Sequence, residues 1–200
     1  MASGEYMRVI SGKFRGRRLK GPDGMDIRPT GDPLKETLFN IIGPGIAGSV
    51  MLDVFGGSGA IGIEALSRGA RESVFIENSE AACRLFRHNL ELCGIKAGYR
   101  IVQQDVFTAM RALARQGFKA NIIFFDPPYD WKPYCDLLEI TFKRGLLASP
   151  SRVVIEHYRK TVLPESGEGY RRYRIVRQGD HGLSLYEQDA ISHELHESQE

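Results

Sequence analysis

The stretch from residue 50 to residue 62 constrains the fold of this chain most strongly. Apolar residues lead into Asp53, a glycine-rich turn follows, and apolar residues then recur at helical spacing. This pattern predicts a buried strand, a tight turn and a helix. Gly57, Gly59 and Gly62 also match a GxGxxG pattern, in which glycines allow the turn, close approach of a ligand and close helix–strand packing.

Acidic residues follow three successive predicted strands, as Asp53, Glu77 and Asp105. Glu77 lies twenty positions after Gly57, where a carboxylate can accept hydrogen bonds from both ribose hydroxyls of a cofactor. Asp53 would repel a pyrophosphate but attracts the sulfonium and ammonium groups of S-adenosylmethionine. Asp105 can accept from an adenine amino group, and capping the next helix is an equally good interpretation. The pattern therefore favours a ribose-bearing cofactor, and Asp53 favours S-adenosylmethionine.

A second motif, Asp126-Pro127-Pro128-Tyr129, follows the apolar run at 122–125. The run predicts a buried strand of a parallel sheet, and the two prolines end it and stiffen the loop. Open α/β sheets bind ligands in the crevice beyond the carboxyl ends of their strands. A carboxylate, the Pro127 carbonyl and an aromatic ring there suit a planar group bearing an NH₂, such as a nucleobase amine. An isolated Asp-Pro-Pro is otherwise an ordinary turn with a solvated acid.

The remaining pattern predicts alternating helices and strands, and therefore a doubly wound α/β sheet. Helices are predicted at 32–42, 79–93, about 107–115 and about 134–143, and a further buried strand at 153–156. Two alternating strands, 171–177 and 183–188, are predicted to pair antiparallel at the end of the sheet. The expected organisation is an N-terminal basic β-hairpin extension at 1–22, a catalytic domain at 23–188 and a disordered acidic tail at 189–200.

The modest net charge of +2 conceals an uneven distribution. Five of the 25 acidic residues lie in the last fourteen positions, so residues 1–186 carry 27 basic and 20 acidic side chains, a formal +7. Six basic residues and no acid lie between Arg8 and Lys20, in a predicted hairpin that turns near Gly12–Gly16. Contact with a nucleic-acid backbone and protection of a sheet edge explain this stretch equally well.

These motifs together resemble the RsmD-type bacterial 16S rRNA guanine-N2 methyltransferases, from Met7 to about Glu187. The N-terminal segments and Ser67-Arg68-Gly69-Ala70 distinguish this family from other methyltransferases. The segments that carry the resemblance are Arg8–Gly12 with Arg15–Arg17, Arg28–Thr30, Glu36–Asn40, Asp53–Ala70 and Asp126–Tyr129. Two departures are Pro33, where the family usually has a basic residue, and Gly56, where it tends to have Ala.

The resemblance implies a Rossmann-like methyltransferase sheet with an antiparallel last strand. It also implies methyl transfer from S-adenosylmethionine to the exocyclic N2 of a guanine in small-subunit ribosomal RNA. The implied catalytic residues are Asp126, Pro127 and Tyr129, and the implied RNA-binding residues are Arg8, Lys13, Arg15, Arg17 and Arg18. The implied cofactor-binding residues are Thr30, Asp53, Phe55, Gly57, Gly59, Glu77, Asn78, Asp105 and Val106.

Three alternatives stay open at this point: an adenine-N6 methyltransferase of DNA or RNA, a nicotinamide-dependent oxidoreductase, and a non-catalytic RNA-binding ribosome assembly factor. The polar start, the absence of a long apolar run and three cysteines without a paired motif predict a cytoplasmic protein without disulfides, metal or membrane contact. The expected partner is small-subunit ribosomal RNA or an assembling small subunit, bound by a monomer.

Overall fold

The computed structural model describes residues 7–21 and 32–189. It divides into two compact units, Met1–Val106 and Phe107–Glu200. No helix in the described ranges is long and apolar enough to cross a membrane.

The first unit contains a small hairpin and three parallel strands in the order β5-β4-β3. Both faces of a parallel sheet are usually covered. Accordingly, every residue of β3 and the middle four residues of β4 are buried, whereas both ends of β5 are exposed. The elements of this unit are β1 (Met7–Arg8), β2 (Arg18–Leu19), α1 (Asp32–Ile42), a 3₁₀ turn (Gly43–Ile46), β3 (Val50–Val54), α2 (Ala60–Ser67), β4 (Glu72–Glu77), α3 (Glu80–Leu92) and β5 (Tyr99–Gln103).

The predicted N-terminal hairpin is present, with β1 antiparallel to β2 and Met7 opposite Leu19. Its apolar residues Met7, Val9 and Leu19 are buried in one cluster with Phe75 of β4 and Phe86 of α3. Burying an apolar side chain contributes about 1.5–3 kcal/mol, so the hairpin is part of the core of this unit.

The second unit contains five strands in the order β6-β7-β10-β9-β8. Strands β6 and β7 are parallel, and the last strand, β10, lies antiparallel between β7 and β9. Helix α4 (Val106–Arg115) begins at the boundary of the two units; the other elements are β6 (Ala120–Phe125), α5 (Tyr134–Lys143), β7 (Leu147–Tyr158), β8 (Ser166–Gly167), β9 (Tyr170–Gln178) and β10 (His181–Gln188).

The predicted fold class is confirmed: an α/β methyltransferase-like architecture with antiparallel last strands and an N-terminal hairpin. Helix α3 begins at Glu80, one residue later than predicted, because the Ser79 hydroxyl accepts from the Ala82 N–H at 3.3 Å as its N-cap. Strand β7 is longer than the predicted 153–156. The predicted domain limits stay predictions, and residues 22–31 and 190–200 lie outside the described part of the chain.

Candidate cofactor and acceptor sites

The first predicted cofactor residue, Asp53, is a buried carboxylate near the end of β3. Its side chain is 1% exposed, and Oδ2 accepts from the Gly62 N–H at 2.9 Å. Its Oδ1 has no hydrogen-bond partner among the residues that the structure describes. Burial is the main cause that raises the pKa of Asp53 to about 7; the hydrogen bond from Gly62 opposes this rise and the charge of Glu77 adds to it. A buried carboxylate oxygen without a partner fits the cationic groups of S-adenosylmethionine.

The loop after β3 has the backbone strain and close packing expected of a ligand loop. Phe55 has a positive φ of 62°, a conformation that costs a non-glycine residue about 1–3 kcal/mol. At Gly62, a Cβ would lie 2.3 Å from Cε1 of Phe75, so only glycine lets α2 pack this closely on β4. Packing of α2 on β4 therefore holds the loop in place. The predicted cofactor contacts Phe55, Gly57 and Gly59 lie in this loop, between β3 and α2.

Glu77 and Asn78 lie at the carboxyl end of β4, the strand next to β3. The Glu77 Oε1 accepts from the backbone N–H of Asn78 and of Ser79, each at 2.8 Å. These bonds orient the half-buried carboxylate at the start of α3. The strand pairing between β3 and β4 places this carboxylate at the same edge of the sheet as Asp53.

Asp105 and Val106 lie at the next strand end. The Gln104 N–H donates to the Glu77 carbonyl at 3.1 Å, which joins the ends of β5 and β4. Asp105 is exposed directly before α4, and Val106 is the buried first residue of that helix. The structure therefore brings the predicted acids to the ends of three adjacent parallel strands. The predicted contact at Thr30 lies outside the described residues.

The second unit carries the predicted acceptor loop at the end of β6. Asp126 is half-buried and Pro127 buried, whereas the Tyr129 side chain is 72% exposed. The Trp131 N–H donates to the Pro128 carbonyl at 2.9 Å and closes a turn. The Tyr129 ring meets the ring of Tyr158 edge-on, with 5.4 Å between centroids. The loop thus presents the exposed ring of Tyr129, held by Tyr158, three residues after the Asp126 carboxylate.

The predicted RNA-binding side chains are all exposed on the hairpin: Arg8, Lys13, Arg15, Arg17 and Arg18. The residues that fix this hairpin were not predicted. The buried Glu64 of α2 accepts from the N–H groups of Ile10 and Ser11 at 2.7 and 2.9 Å, and from Nε of Arg68 at 2.8 Å. A buried carboxylate is costly unless it is paired and hydrogen-bonded, and the hairpin backbone satisfies much of that need.

Ser67 adds a second connection between α2 and the turn of the hairpin. Its hydroxyl donates to the Ser11 carbonyl at 2.5 Å and accepts from the Phe14 N–H at 2.9 Å. Gly12 packs directly on this residue, since a Cβ there would lie 1.9 Å from the Ser67 carbonyl oxygen. The turn therefore has one defined position on α2.

Asn89 of α3 joins the hairpin to the loop after β3. Its fully buried amide donates to the carbonyls of Lys20 and Ser58 at 3.0 and 2.9 Å, and its oxygen accepts from the Lys20 N–H at 2.8 Å. A polar residue between buried Phe86 and Leu90 is the one sequence feature that could have drawn attention to it.

Comparison with known proteins decides the family. The family described as Conserved hypothetical protein 95 matches residues 7–187. The chain belongs to this family. Among its relatives, the Ribosomal RNA small subunit methyltransferase D of Escherichia coli (strain K12) is 36% identical, covering 92% of this chain and 91% of the relative. The Putative rRNA methyltransferase YlbH of Bacillus subtilis is also 36% identical, covering 90% and 98%.

A solved structure agrees with these relatives. The putative methyltransferase yhhF from Escherichia coli superposes with a TM-score of 0.76 at 33% identity, covering 92% of this chain and 99% of that one. The resemblance predicted from the motifs is confirmed, and so is the predicted enzyme class, a methyltransferase.

Proposed function

We propose that this chain transfers a methyl group from S-adenosylmethionine to the exocyclic N2 of a guanine in small-subunit ribosomal RNA. The enzyme is an S-adenosylmethionine-dependent methyltransferase of the Conserved hypothetical protein 95 family, and its relatives are named ribosomal RNA methyltransferases. The observation that carries the choice of an amine in a base is the acceptor loop, where half-buried Asp126 precedes the exposed ring of Tyr129.

The first unit supplies the cofactor residues in this proposal. When bound, S-adenosylmethionine supplies a methyl group already activated on a sulfonium. Asp53 pairs with a cationic group of the cofactor through Oδ1, which lacks a partner among the described residues. Glu77 accepts from ribose hydroxyls and Asp105 from the adenine amine, while the backbone of the glycine loop allows close approach.

The second unit supplies the acceptor residues. The lone pair of guanine N2 is delocalised into the ring, so the amine is a poor nucleophile while it stays planar. Asp126 and the Pro127 carbonyl accept its two hydrogens and favour a tetrahedral nitrogen, and Tyr129 stacks on the base. The nitrogen becomes cationic during transfer, and Asp126 stabilises that charge. The cationic nitrogen formed by the transfer is acidic enough to lose one proton to water without a strong base, which leaves the neutral methylated amine.

The hairpin supplies contacts to the RNA backbone. A target base must leave its stack, which costs roughly a few kcal/mol. The exposed cations Arg8, Lys13, Arg15, Arg17 and Arg18 offset that cost by binding phosphates. Because Glu64, Ser67 and Asn89 fix the hairpin to α2 and α3, these cations have a defined position before RNA binds.

The test of the acceptor loop is Asp126→Ala. Loss of one preorganised transition-state contact lowers the single-turnover methylation rate about a hundredfold or more, with cofactor affinity nearly unchanged. Asp130→Ala, an exposed acid four positions later, is the matched control and retains the wild-type rate. Tyr129→Phe keeps the stacking and is mild, whereas Tyr129→Ala weakens both base capture and rate. A wild-type rate for Asp126→Ala would exclude the catalytic role of this loop.

The nature of the acceptor is tested by offering naked ribosomal RNA, assembling small subunits and DNA side by side. Nucleoside analysis of the products then separates N2-methylguanosine from N6-methyladenosine. We expect N2-methylguanosine in small-subunit RNA. N6-methyladenosine in any substrate would instead show that the chain is an adenine-N6 methyltransferase.

A further inference from the structure

A groove between α4 and α5 of the second unit has no role in the reaction described above. Its volume is about 410 Å³, within the range of roughly 300–1,000 Å³ typical of ligand pockets. Its lining combines one aromatic ring, three cations and two carboxylates, provided by Phe107, Arg111, Lys143, Arg144, Asp136 and Glu139.

Aromatic rings connect this groove to the acceptor loop. The half-buried rings of Phe107 and Trp131 are nearly parallel, with 6.1 Å between centroids and an interplanar angle of 17°. The Trp131 ring in turn meets Tyr134 edge-on at 5.0 Å. Trp131 also closes the turn after Asp126 through its hydrogen bond to Pro128. An RNA strand that extends from the acceptor loop along these rings would therefore enter the groove.

The charges of the groove favour a nucleotide over a simple anion. Lys143 forms ion pairs with Glu139 and with Glu168, so we assign the binding of an anion to the two arginines of the groove. Exposed Arg144 lies just after α5, and exposed Arg111 places its guanidinium 5.8 Å from the centre of the Phe107 ring. A bare anion would meet two carboxylates here, whereas a nucleotide combines a phosphate for arginine, a flat base for the ring, and base-edge donors for carboxylates.

We propose that this groove binds a nucleotide that flanks the target guanine in single-stranded RNA. Its base stacks on Phe107 and Trp131, and its phosphate binds Arg111 and Arg144. Single-stranded RNA is commonly bound in this way, by aromatic rings that stack on bases beside cations that follow the backbone. This inference rests on the proposed function, since it extends the RNA path from the acceptor loop.

Trp131 is the only tryptophan of the chain, and it lies against Phe107, which lines the groove, so its fluorescence reports on binding beside that ring. The probe is a short single-stranded oligoribonucleotide with one central guanine, compared with the same oligonucleotide lacking the flanking bases but keeping every phosphate. We expect the complete probe to quench Trp131 and to bind more tightly than the abasic one. Quenching of equal strength by both would overturn the proposal, because the flanking base would then make no contact.

Arg111→Ala should weaken binding of the complete probe several-fold and lower its log–log salt slope by roughly 0.7, the value for one phosphate contact to a single strand. Arg115→Ala, which removes an exposed cation one turn further along α4 and outside the groove, is the matched control and should bind like wild type. Equal affinity of the two variants would overturn the proposal. So would tighter binding of an acidic peptide than of RNA with the same quenching, because the partner would then be a protein.

Two measurements, the methylated nucleoside formed by wild type and the effect of Arg111→Ala, distinguish failure of the groove proposal from failure of the proposed function. If wild type forms N2-methylguanosine while Arg111→Ala binds and methylates like Arg115→Ala, the groove inference is wrong and the proposed function stands. If wild type forms no N2-methylguanosine in ribosomal RNA, the proposed function is wrong whatever the probe does.

Discussion

Asp53 should make cofactor binding depend on pH. Without a cationic partner, its carboxyl has a pKa raised to about 7 by burial, so it is mostly protonated at pH 6. A bound ammonium or sulfonium favours the carboxylate and lowers that pKa. Cofactor binding at pH 6 or below should therefore release close to one proton, and affinity should fall as the solution becomes more acidic.

The size of the effect follows from the pKa. If only the carboxylate form binds well, the ionised fraction falls from about 0.76 at pH 7.5 to about 0.03 at pH 5.5, and affinity falls about 25-fold. The upper limit of pH 7.5 keeps more than half of the cofactor's α-amino group protonated, since an α-amino group has a pKa of about 7.7–8.0. Calorimetric titration in buffers of different ionisation enthalpy measures both the dissociation constant and the released proton.

Asp53→Asn is the matched variant, because it keeps the shape and the acceptor for the Gly62 N–H but cannot ionise. It should bind the cofactor weakly, with no pH dependence and no proton release. The reasoning would be refuted if wild-type affinity were constant between pH 5.5 and pH 7.5, or if Asp53→Asn kept the same pH dependence.

The same residue gives a stability test with the opposite sign. A carboxyl whose pKa rises from 3.8 to about 7 on folding binds its proton more tightly in the folded state. The free energy of unfolding without cofactor should therefore fall as pH rises from about 4 to about 7, by up to about 4 kcal/mol, and then level off. Thermal unfolding across this range should show the slope in wild type, and a reduced slope in Asp53→Asn.

Two further predictions concern the other cofactor acid and the hairpin. Glu77→Ala should weaken S-adenosylmethionine binding by roughly 1.5–3 kcal/mol for each lost ribose hydrogen bond. Glu91→Ala, which changes an exposed acid on α3, should leave the affinity unchanged. Equal affinities of the two variants in calorimetry would show that Glu77 does not contact the cofactor. Replacing Arg15, Arg17 and Arg18 with Ala should lower the log–log salt slope of RNA binding by about 2, at constant cofactor affinity. An unchanged slope in a monodisperse variant would exclude the hairpin as an RNA contact, whereas aggregation would favour its role as a protected sheet edge.

The sequence predicted most of the architecture because its patterns are local. The solid apolar runs that become β3, β4 and β6, and the helical spacing in α1 and α5, depend only on neighbours along the chain. The acids at strand ends could be placed because parallel strands end at one edge of a sheet. The strained φ of Phe55 could not be predicted, since a phenylalanine carries no local preference for that conformation.

The buried polar residues were missed for a physical reason. Glu64 and Asn89 are each fully buried, and the backbone groups that they bond are 31 to 69 positions away in the sequence, at Ile10, Ser11, Lys20 and Ser58. No periodicity records a pairing at that separation. A charged or amide side chain on an otherwise apolar helical face shows that some partner must exist, because such a group is rarely buried alone, but it does not identify the partner.

These contacts give a structural role to Ser67 and Arg68, which belong to one of the segments that carry the resemblance to the family. Both side chains lie where α2 meets the hairpin. The Ser67 hydroxyl accepts a hydrogen bond from the Phe14 N–H in the hairpin turn. Arg68 donates to the Glu64 carboxylate, which also accepts from the hairpin backbone, and the Arg68 guanidinium lies 4.6 Å from the centre of the Phe39 ring. A hairpin fixed in this way loses little conformational freedom when it binds a partner, so more of the attraction between its cations and phosphates remains as affinity. Ser67 and Arg68 thus hold the basic hairpin in one position, and we expect the exposed cations at its surface to make the contacts to RNA.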